Sequence, residues 1–376
     1  MGRGFLGRWR RLREPREVAR HRYGELHRAD PFADLARLCA ARRPGEVVAG
    51  YIAYEAAVCT EAGLTLPPPP REAGGGMPAV WLGLFGGAED AGPPDEVSGP
   101  TLRPDEEHGE EHGEAAFASG VETIREAIRA GDVFQANLSR RLTARGDAGD
   151  DVLFARLLAG TRAPYAARLR VGGGTILSAS PELFLRTEGR RVTAEPIKGT
   201  APRGATPDED AGLAAALAAS EKDRAENVMI ADLLRNDLAK VAEDDSIDVP
   251  DLCALRTLPS VHHLVTRVTG TLRGDCGFAE ALRAAFPCGS ITGAPKRAAM
   301  EIIARLEGEG RGVYCGAILA VSDAAGVASV PIRTGVYGDG VLSVRTGGGI
   351  TVLSDPEAEL SETRDKAYPF ELMVGA

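Results

Sequence analysis

Short runs of apolar residues are the clearest pattern along the chain, and they predict strands. Residues 47–54 and 79–85 are almost continuously apolar, which is typical of buried strands. Residues 166–171 and 175–178 flank a turn of three glycines, so this segment is predicted to form a hairpin. Further strands are predicted at residues 261–272, 313–321, 328–334 and 341–346.

Helical spacing of the apolar residues predicts the next group of elements. Residues 1–43 carry Leu and Val among many charges and are predicted to be helical. Residues 120–130 form an amphipathic segment that ends at Gly131. Residues 294–306 repeat the helical pattern, so a further helix is expected there.

Two further helices are marked by their first residues. Ser220 and Asp223 form a capping-box pattern, which predicts a helix that runs to about residue 241. Asp355 is a candidate N-cap, with Pro356 in the first turn of a last helix. Because several strands follow one another between long helices, without strict alternation, the pattern predicts an α+β fold with large, partly antiparallel sheets.

Composition restricts the class of protein. The chain has 376 residues, of which 44% are hydrophobic and only 5% aromatic, so the core must consist mainly of Ala, Val, Leu and Ile. Its six cysteines contain no Cys-x-x-Cys pair, which suits a reducing cytoplasm and argues against disulfides or structural zinc. No apolar run approaches the length of a membrane span, so we expect a cytoplasmic protein that does not enter a membrane.

The charge is unevenly distributed. The net charge is −10, yet residues 1–43 hold twelve arginines against five Asp and Glu, a local excess of about +7. Acidic residues are interspersed and aromatics are few, which favours a solvated helix surface over an arm that binds nucleic acid or membrane. Residues 86–114 are Gly, Pro, Asp and Glu with little periodicity, which predicts a linker or mobile loop and a boundary between residues 1–114 and 115–376.

Lys198 is the most informative single residue. It lies in the run E-P-I-K-G-T-A-P-R-G at 195–204, where two prolines and two glycines hold the backbone in one shape. A lysine held there and shielded from water can serve as a nucleophile or a base. The alternative is a surface turn with a solvated lysine, which keeps an ordinary ammonium group.

Two predicted helices carry pairs of carboxylates at the same spacing. Asp223 and Glu226 are three residues apart and therefore share one helix face, as do Glu359 and Glu362. If these faces meet, their oxygens form a cage that suits Mg²⁺, which prefers carboxylates, waters and the anionic oxygens of a substrate. The alternative is two charged helix surfaces, with Lys366 pairing with Glu362 one turn away.

Other segments are suited to an anionic ligand. T-G-G-G at 346–349 follows a strand, and a loop without Cβ atoms there can point its amides at a carboxylate or phosphate. P-C-G-S-I-T-G-A-P-K at 287–296 is a tight turn that leads into a helix. Arg333 is predicted to lie on a strand, where it can bind a carboxylate through two hydrogen bonds. His262 and His263 should point to opposite faces of a strand, and each is also compatible with a structural role.

Taken together, the motifs resemble one family. They are P-I-K-G-T-x-P-R at 196–203, K-D-R-A-E-N-x-M-I-x-D-L-x-R-N-D-L at 222–238, V-H-H-L-V at 261–265, G-S-I-T-G-A-P-K at 289–296, I-R-T at 332–334 and E-x-x-E-T-x-x-K-A at 359–367, extended by G-D-V-F-Q-A-N-L-S at 131–139 and S-P-E at 180–182. These segments are similar to the chorismate-utilising enzymes, densely over residues 115–368 and weakly over 45–85. The resemblance implies a fold like that of anthranilate synthase component I, with the large sheets packed as a sandwich and helices outside.

The residue at position 198 separates the branches of that family. Anthranilate synthase large subunits have a small residue there, usually alanine, whereas aminodeoxychorismate synthase component I has lysine in P-I-K-G-T. With lysine at position 198, the chain therefore resembles the second branch. Enzymes of that branch convert chorismate and ammonia to 4-amino-4-deoxychorismate. This product is the precursor of p-aminobenzoate, which is used for folate or a secondary metabolite. The alternatives are an anthranilate synthase, an isochorismate or salicylate synthase, and a catalytically silent subunit that binds chorismate.

The resemblance implies a metal site. Mg²⁺ would bind the ring carboxylate of chorismate and be held mainly by Glu226 and Glu362, with support from Asp223 and Glu359. Several carboxylates would repel a dianionic substrate without the cation, so the metal has an electrostatic role.

It also implies contacts with the substrate. The amides of Gly347, Gly348 and Gly349 and the ammonium group of Lys366 would help to hold the ring carboxylate. Arg333 and Tyr314 would take the enolpyruvyl carboxylate. The remaining substrate-binding residues are Gly199, Thr200 and Thr292, of which the two threonines would line the ring pocket.

Three residues take catalytic roles by the same resemblance. Lys198 would attack C2 of the ring, Glu182 would protonate the C4 hydroxyl as it leaves, and ammonia would then attack C4 and release the lysine. An orienting role is expected for His263. Because the chain lacks a G-x-C-x-G nucleophile turn, ammonia should come from a separate glutamine amidotransferase subunit, or from free ammonium.

The chain also departs from the family pattern. Residues 1–114 form a shorter N-terminal region that is expected to contribute strands, whereas residues 115–376 correspond to the chorismate-binding catalytic domain. The short region has no recognisable L-L-E-S run, so a bound tryptophan is not expected. Cys288 stands where the family commonly has glycine, and its side chain is expected to narrow the pocket.

Overall fold

The computed structural model describes residues 1, 3–6, 9–71, 76–94, 99–105, 110–161, 163–258 and 261–375. In these ranges the strands, in chain order, are β1 (Arg10–Arg11), β2 (Glu17–His21), β3 (Val47–Ile52), β4 (Val80–Phe85), β5 (Glu89–Asp90), β6 (Arg103–Pro104), β7 (Gln135–Arg145), β8 (Tyr165–Val171), β9 (Gly174–Ser180), β10 (Leu183–Glu188), β11 (Arg191–Glu195), β12 (Ile197–Pro202), β13 (Asp248–Thr257), β14 (Val261–Thr271), β15 (Gly293–Ala294), β16 (Ala317–Val321), β17 (Gly326–Ser329), β18 (Thr334–Gly338) and β19 (Val341–Ile350). The helices of the same ranges are α1 (Arg3–Leu6), α2 (Pro31–Ala40), α3 (Glu110–Ala130), α4 (Asp150–Thr161), α5 (Pro207–Ala219), α6 (Glu221–Ala239), α7 (Phe278–Ala285), α8 (Lys296–Glu307), α9 (Pro356–Asp365) and α10 (Tyr368–Val374).

Within the described part of the chain there are three sheets: a small one in which β1 pairs with β5, one of seven strands and one of ten. In the ten-stranded sheet, the larger sheet below, neighbouring strands are antiparallel. Its order is β12-β14-β11-β10-β17-β16-β3-β4-β2, and β13 pairs with the other edge of β14. β3 and β4, from the first quarter of the sequence, enter this sheet because β3 pairs with β16. Residues from the N-terminal region and from the rest of the chain therefore share one sheet.

The smaller sheet has the order β15-β7-β19-β18-β9-β8, with β6 added at β7. It packs face to face with the larger sheet, and the side chains between them alternate along each strand as a sandwich requires. In β3, Val47 and Tyr51 point into the space between the sheets, where they meet Ile176 of β9, whereas Val48 points to the outer face. The predicted sandwich is thus built from strands with two buried faces.

Helices cover the outer faces of both sheets. α2, α6 and α7 pack on the larger sheet through Leu35, Leu234 and Leu282. α4 and α10 cover the smaller sheet through Leu153 and Phe370. α3 and α8 pack against the start of β7, and α9 joins the same cluster. Because α6 lies against the larger sheet and α9 against the smaller one, their polar ends meet at one edge of the sandwich.

The helical prediction for residues 1–43 is wrong in large part. α2 occupies only Pro31–Ala40, and Glu17–His21 forms the edge strand β2, which pairs with β4. Only Ala19 of this strand is buried, and charged residues flank it. Edge strands tolerate such charges because one side of the strand faces water, so the apolar signal was too weak to identify the strand.

Two predicted elements near the end of the chain also differ. Residues 347–349 are not a loop, because β19 continues through them to Ile350 and pairs with β7. Arg333 is not on a strand, because the predicted strand at 328–334 divides into β17 and β18, with Arg333 at a bend where φ is +50°. The pairing of distant strands decided both outcomes.

The predicted linker is partly structured. Residues 95–98 and 106–109 lie outside the described residues, and the remainder contains β5, β6 and the first turns of α3. α3 begins at Glu110 and therefore crosses residue 114, and the division into 1–114 and 115–376 stays a prediction.

Arginines near the N-terminus have acidic partners. Arg16 bonds to Glu46 at 2.9 Å, and Arg37 pairs with Asp34 at 3.0 Å. The first contact joins the residue before β2 to the residue before β3, whereas the second lies within α2, which is tied to β2 by an ion pair between Arg37 and Glu17. Among the described residues, no helix combines the length and the apolar character that a membrane crossing needs.

Candidate functional site

Lys198 projects from β12 where the strand bulges. The register with β14 shifts between Ile197 and Thr200, and Gly199 has φ of +85°, a conformation that favours glycine. The Lys198 side chain is only 10% exposed, and its Nζ lies 4.0 Å from Glu226 Oε2. Lys198 is therefore shielded from solvent and does not sit on a solvated turn.

The start of α6 is held tightly against β12. A Cβ atom on Gly199 would lie 2.9 Å from the Asp223 Cβ, so glycine permits the close approach. The buried Asn227 amide donates to the backbone carbonyl of Leu264 at 3.0 Å, and to that of Lys198 at 3.4 Å. α6, β12 and β14 are thus joined around the Lys198 backbone.

Glu182 lies in a buried position beside Lys198. Its side chain is 3% exposed, and burial raises its pKa to about 7, against the opposing influence of Ser290 and the Lys198 charge. Glu182 Oε1 is buried without a hydrogen-bond partner among the described residues. This carboxyl group can therefore hold a proton near neutral pH, as a general acid must.

The two predicted carboxylate pairs lie on neighbouring helices. α6 carries Asp223 and Glu226, and α9 carries Glu359 and Glu362. Burial raises the pKa of Glu226, whose ionised form is also disfavoured by Asp223 and Glu359. Glu362 is connected to the others through Lys222, on which the charges of Glu359, Glu226 and Glu362 all act, and a shared metal site stays a prediction.

Two lysines form ion pairs with the acidic cluster, which consists of Asp223, Glu226, Glu359 and Glu362. Lys222 donates to Glu359 Oε1 at 3.2 Å, and Lys366 forms an ion pair with Glu362. Partial desolvation opposes ionisation of Glu362, whose side chain is 47% exposed, but the charge and hydrogen bond of Lys366 outweigh it, so the pKa of Glu362 is lowered. Ser354 also bonds to Glu359 Oε1, at 2.5 Å.

The cluster suits a hard cation in its chemistry. Across the ranges that the structure describes, no three His, Cys, Asp or Glu side chains converge on one point in the way that bound ligands do. The donors are nonetheless all carboxylate oxygens, which Mg²⁺ prefers. Glu226 is buried and its pKa is raised, so additional positive charge beside it would stabilise its ionised form.

The three glycines of β19 lie beside both Lys198 and the acidic cluster. A Cβ on Gly349 would lie 3.0 Å from Lys198 Nζ, whereas a Cβ on Gly348 would lie 3.2 Å from Glu359 Oε2. Lys366 Nζ donates to the Gly347 carbonyl at 3.3 Å. The strand thus brings a bare backbone surface between the proposed nucleophile and the carboxylates.

His263 pairs with Thr200 of β12 and lies within electrostatic reach of Arg333. His263 Nδ1 lies 2.9 Å from Thr200 Oγ1, and its Nε2 is buried without a partner in the described structure. Burial and then the Arg333 charge lower the pKa of His263 to about 4, so the ring is neutral at physiological pH. Burial also lowers the pKa of Arg333.

His262 is turned away from this group, as the strand period predicts. Its Nε2 lies 2.9 Å from Asp210 Oδ1, and its Nδ1 lies 2.9 Å from Thr257 Oγ1. Asp210 is also bonded to Arg203 at 2.6 Å. These contacts connect α5 to β13 and β14, which is a structural role.

Thr292, predicted for the ring pocket, and Tyr314, predicted for the enolpyruvyl carboxylate, are buried in ways that the sequence did not indicate. Thr292 is fully buried, and its hydroxyl donates to the Cys288 carbonyl at 3.0 Å. Tyr314 packs against the Arg311 guanidinium, which lies 5.8 Å from the centre of its ring. The segments that carry Tyr314 and Arg333 are adjacent, because Cys315 N donates to the Pro331 carbonyl at 3.2 Å.

Gln135 was missed by sequence reasoning. It is 1% exposed at the start of β7, and both its amide oxygen and its amide nitrogen are buried without partners among the described residues. A Cβ on Gly349 would lie 2.5 Å from Gln135 Nε2, so this amide shares the space of Lys198. The signal was present in G-D-V-F-Q-A-N-L-S, where a polar residue opens a buried strand.

A second buried polar region lies behind the site. Glu307 accepts from Arg311 at 2.7 Å and from Arg345 at 3.0 Å. Next to it is a small, partly open recess that is lined in part by Tyr54 and Glu55. Burial raises the pKa of Glu55 to about 7, and the Glu55 Oε2 and Tyr54 hydroxyl atoms are buried without partners in the described residues.

A buried ion pair fastens the turn at 287–296. Lys296 donates to Asp237 Oδ2 at 2.7 Å and to the Ala285 carbonyl at 3.1 Å. This contact joins the end of α6 to the start of α8. It gives a structural reason for the lysine of G-S-I-T-G-A-P-K and the aspartate of R-N-D-L.

Comparison with known proteins agrees with this arrangement. Residues 10–371 match the family described as chorismate binding enzyme. The chain is 45% identical over 258 residues to anthranilate synthase component 1 3 of Haloarcula marismortui, which is 68% of this chain and 51% of that protein. It is also 45% identical over 244 residues to aminodeoxychorismate synthase component 1 of Klebsiella aerogenes, which is 65% of this chain and 54% of that protein. The chain spans about half the length of the curated relatives it matches.

The solved structures confirm the predicted fold. Anthranilate synthase component I from Streptococcus pneumoniae superposes with a TM-score of 0.82 at 25% identity, over 97% of this chain and 92% of that one. The identities to anthranilate and aminodeoxychorismate synthases are alike, so they do not separate those activities. From the matched residues, the common fold and the ordered motifs, the chain belongs to the family of chorismate binding enzymes.

Proposed function

We propose that this chain converts chorismate and ammonia to 4-amino-4-deoxychorismate. The observation that carries the proposal is the position of Lys198, which is largely shielded from solvent, 4.0 Å from Glu226 and beside Gly349 of β19. Relatives that form anthranilate usually have a small residue here. A small residue leaves no amine to bond with the ring, so the lysine favours a covalent route.

The reaction proceeds in two displacements. The uncharged Lys198 amine bonds to C2 of the ring, the ring double bonds shift, and the C4 hydroxyl leaves as water after it receives the proton of Glu182. Ammonia then bonds to C4, the double bonds shift back, and the bond between C2 and Lys198 breaks. This division replaces one difficult substitution with two easier ones.

The remaining side chains bind and orient the substrate. The half-buried Arg333 guanidinium takes the enolpyruvyl carboxylate, with Tyr314 in support. The neutral His263 ring positions the substrate through its unpartnered Nε2. Thr200, which follows Gly199 in β12, and Thr292 would line the side of the ring.

Mg²⁺ is the proposed cofactor. Glu226 and Glu362 would hold it, with Asp223 and Glu359 in support, and Lys366 and the amides of 347–349 would lie near the ring carboxylate. When bound, the cation supplies positive charge that allows a carboxylate of the substrate to approach the acidic residues.

A partner subunit is proposed to supply the ammonia. It would be a glutamine amidotransferase, since the names of the relatives as component 1 indicate a second component. Free ammonium should replace it in a test tube. The proposed location of the activity is the cytoplasm, and the product would feed p-aminobenzoate and folate synthesis or a related secondary metabolite.

The test is incubation of the purified chain with chorismate, Mg²⁺ and ammonium chloride. We expect 4-amino-4-deoxychorismate, detected as p-aminobenzoate after addition of a lyase that eliminates pyruvate. Anthranilate and pyruvate formed without the lyase would overturn the proposal in favour of the anthranilate branch, which the equal identity to anthranilate synthases makes the second candidate. Turnover without any amine would indicate isochorismate or salicylate formation. Chorismate binding with no turnover at saturating ammonium would indicate a silent subunit.

A further inference from the structure

The side chain of Lys222 crosses from α6 to α9 at the acidic cluster. Its Nζ lies 3.2 Å from Glu359 Oε1, and the charges of Glu226 and Glu362 also act on it. The Glu359 side chain is 3% exposed, whereas that of Lys222 is 42% exposed. A flexible, partly solvated cation is therefore held by a buried carboxylate.

The charges at this place are nearly balanced by the protein itself. The acidic groups are Asp223, Glu226, Glu359 and Glu362. The ammonium groups near them are Lys198, Lys222 and Lys366. Lys198 lies against Gly349, and Lys366 also donates to the Gly347 carbonyl. Of these three lysines, Lys222 is the one whose hydrogen bond goes to Glu359.

A divalent cation and the Lys222 ammonium need the same oxygens. Two positive groups cannot share the same carboxylate oxygens without strong repulsion, so each weakens the binding of the other. A long lysine stem that is already half in water loses little when its head group moves out. Glu359, by contrast, is buried and cannot follow it into solvent.

We propose that Lys222 is an internal counter-ion that competes with the divalent metal ion for Glu359 and Glu226, and that binding of the metal displaces it. This inference rests on the proposed magnesium site. It makes Lys222 a positioning residue that keeps α6 and α9 together until a metal enters. It also predicts that the protein binds metal less tightly than its four carboxylates alone would allow.

Binding of Mn²⁺, followed by the electron paramagnetic resonance signal of the free ion, tests this without any turnover. In the absence of chorismate, we expect the Lys222→Met variant to bind Mn²⁺ about 5-fold more tightly than the wild type, the size that a partly exposed ion pair allows. Lys222→Arg keeps the charge and should bind Mn²⁺ like the wild type.

Lys240→Met is the matched control. Lys240 follows α6 and pairs with Asp237 at 2.7 Å, and its side chain is 60% exposed. The Lys240→Met variant also removes one positive charge, at the far end of α6 and away from the acidic cluster. It should leave the affinity for Mn²⁺ unchanged. Equal tightening in both methionine variants would show a general charge effect and overturn the role of Lys222.

The remaining outcomes separate the two proposals. Saturable binding by the wild type with equal or weaker binding by Lys222→Met would contradict the displacement of Lys222 while leaving the metal site intact. No saturable binding by any variant would reject the metal site itself. Far-ultraviolet circular dichroism and the Tm of each variant establish that the fold is retained.

Discussion

Lys198 Nζ lies 4.0 Å from Glu226 Oε2, so the proposed nucleophile and a proposed metal ligand share one electrostatic environment. Their side chains are each 10% exposed, which makes the attraction stronger than on a surface. Attack on chorismate requires the lone pair of the Lys198 amine, so a cation bound at Glu226 would lie directly beside the proposed nucleophile.

Replacement of Lys198 by alanine tests the covalent route. The wild type, given chorismate and Mg²⁺ without ammonia, should form an adduct on Lys198 that mass spectrometry of peptides can locate. The Lys198→Ala variant should form no adduct, and its residual product should come from direct attack by ammonia. Full activity of this variant with ammonium would show that Lys198 is not the nucleophile.

Glu182→Gln should abolish the general acid. We expect kcat to fall by about 10²–10⁴-fold, as is usual when a positioned proton donor is lost. Burial raises the pKa of Glu182 to about 7 in the wild type, so the active, protonated form is lost as the pH rises through about 7. The kcat/KM of the wild type should therefore fall on the alkaline side of that pH.

The pH profile of the Glu182→Gln variant provides the check. The fall in kcat/KM near pH 7 should be absent from the profile of this variant, and the variant should still bind chorismate. A variant that keeps the same fall would assign that titration to another group.

Gly349→Ala should impair the reaction more than the fold. The new Cβ would lie 2.5 Å from Gln135 Nε2 and 3.0 Å from Lys198 Nζ, which are the ends of side chains that can move. Displacement of Lys198 by about 1 Å costs up to about 10²-fold in rate. We expect a large fall in kcat with a nearly unchanged Tm.

Gly212→Ala is the control for the added methyl group. Gly212 lies in α5, and a Cβ atom at this position would have nothing within 4 Å, so activity should be unchanged. If Gly349→Ala lowered Tm by as much as it lowered the rate, the glycine would be required for folding and not for the site.

Glu55→Gln should stabilise the protein in a pH-dependent way. Burial raises the pKa of Glu55 from 4.5 to about 7, so the folded state binds a proton that the unfolded state releases between those values. Wild-type stability from this group is therefore present at low pH and is lost as the pH rises through about 7. The glutamine has no such loss.

Thermal unfolding at several pH values measures the effect. The variant should match the wild type near pH 5 and exceed it at pH 8, by at most about 3 kcal/mol in the free energy of unfolding. A variant that is less stable at pH 8 would show that the Glu55 charge is favourable where it lies.

Local patterns were sufficient for much of the fold. The apolar runs at 47–54 and 79–85 became β3 and β4, and the caps at Ser220 and Asp355 begin α6 and α9. These signals lie within a few residues of one another, so propensity and spacing determine them. The strand β2 was not predicted, because an edge strand with one solvated side lacks a run of apolar residues.

Residue types and their order along the chain were enough to predict the family and the α+β class, and they singled out Lys198 as the candidate nucleophile. Only the tertiary structure decided how deeply the residues of the candidate site are buried and which side chains contact them. The packed sheets buried Glu182 without a partner for Oε1, carried Gly349 past Lys198 inside a strand, and set Lys222 against Glu359. Burial and distance between remote segments control charge and protonation, and they exist only after the sheets pack together.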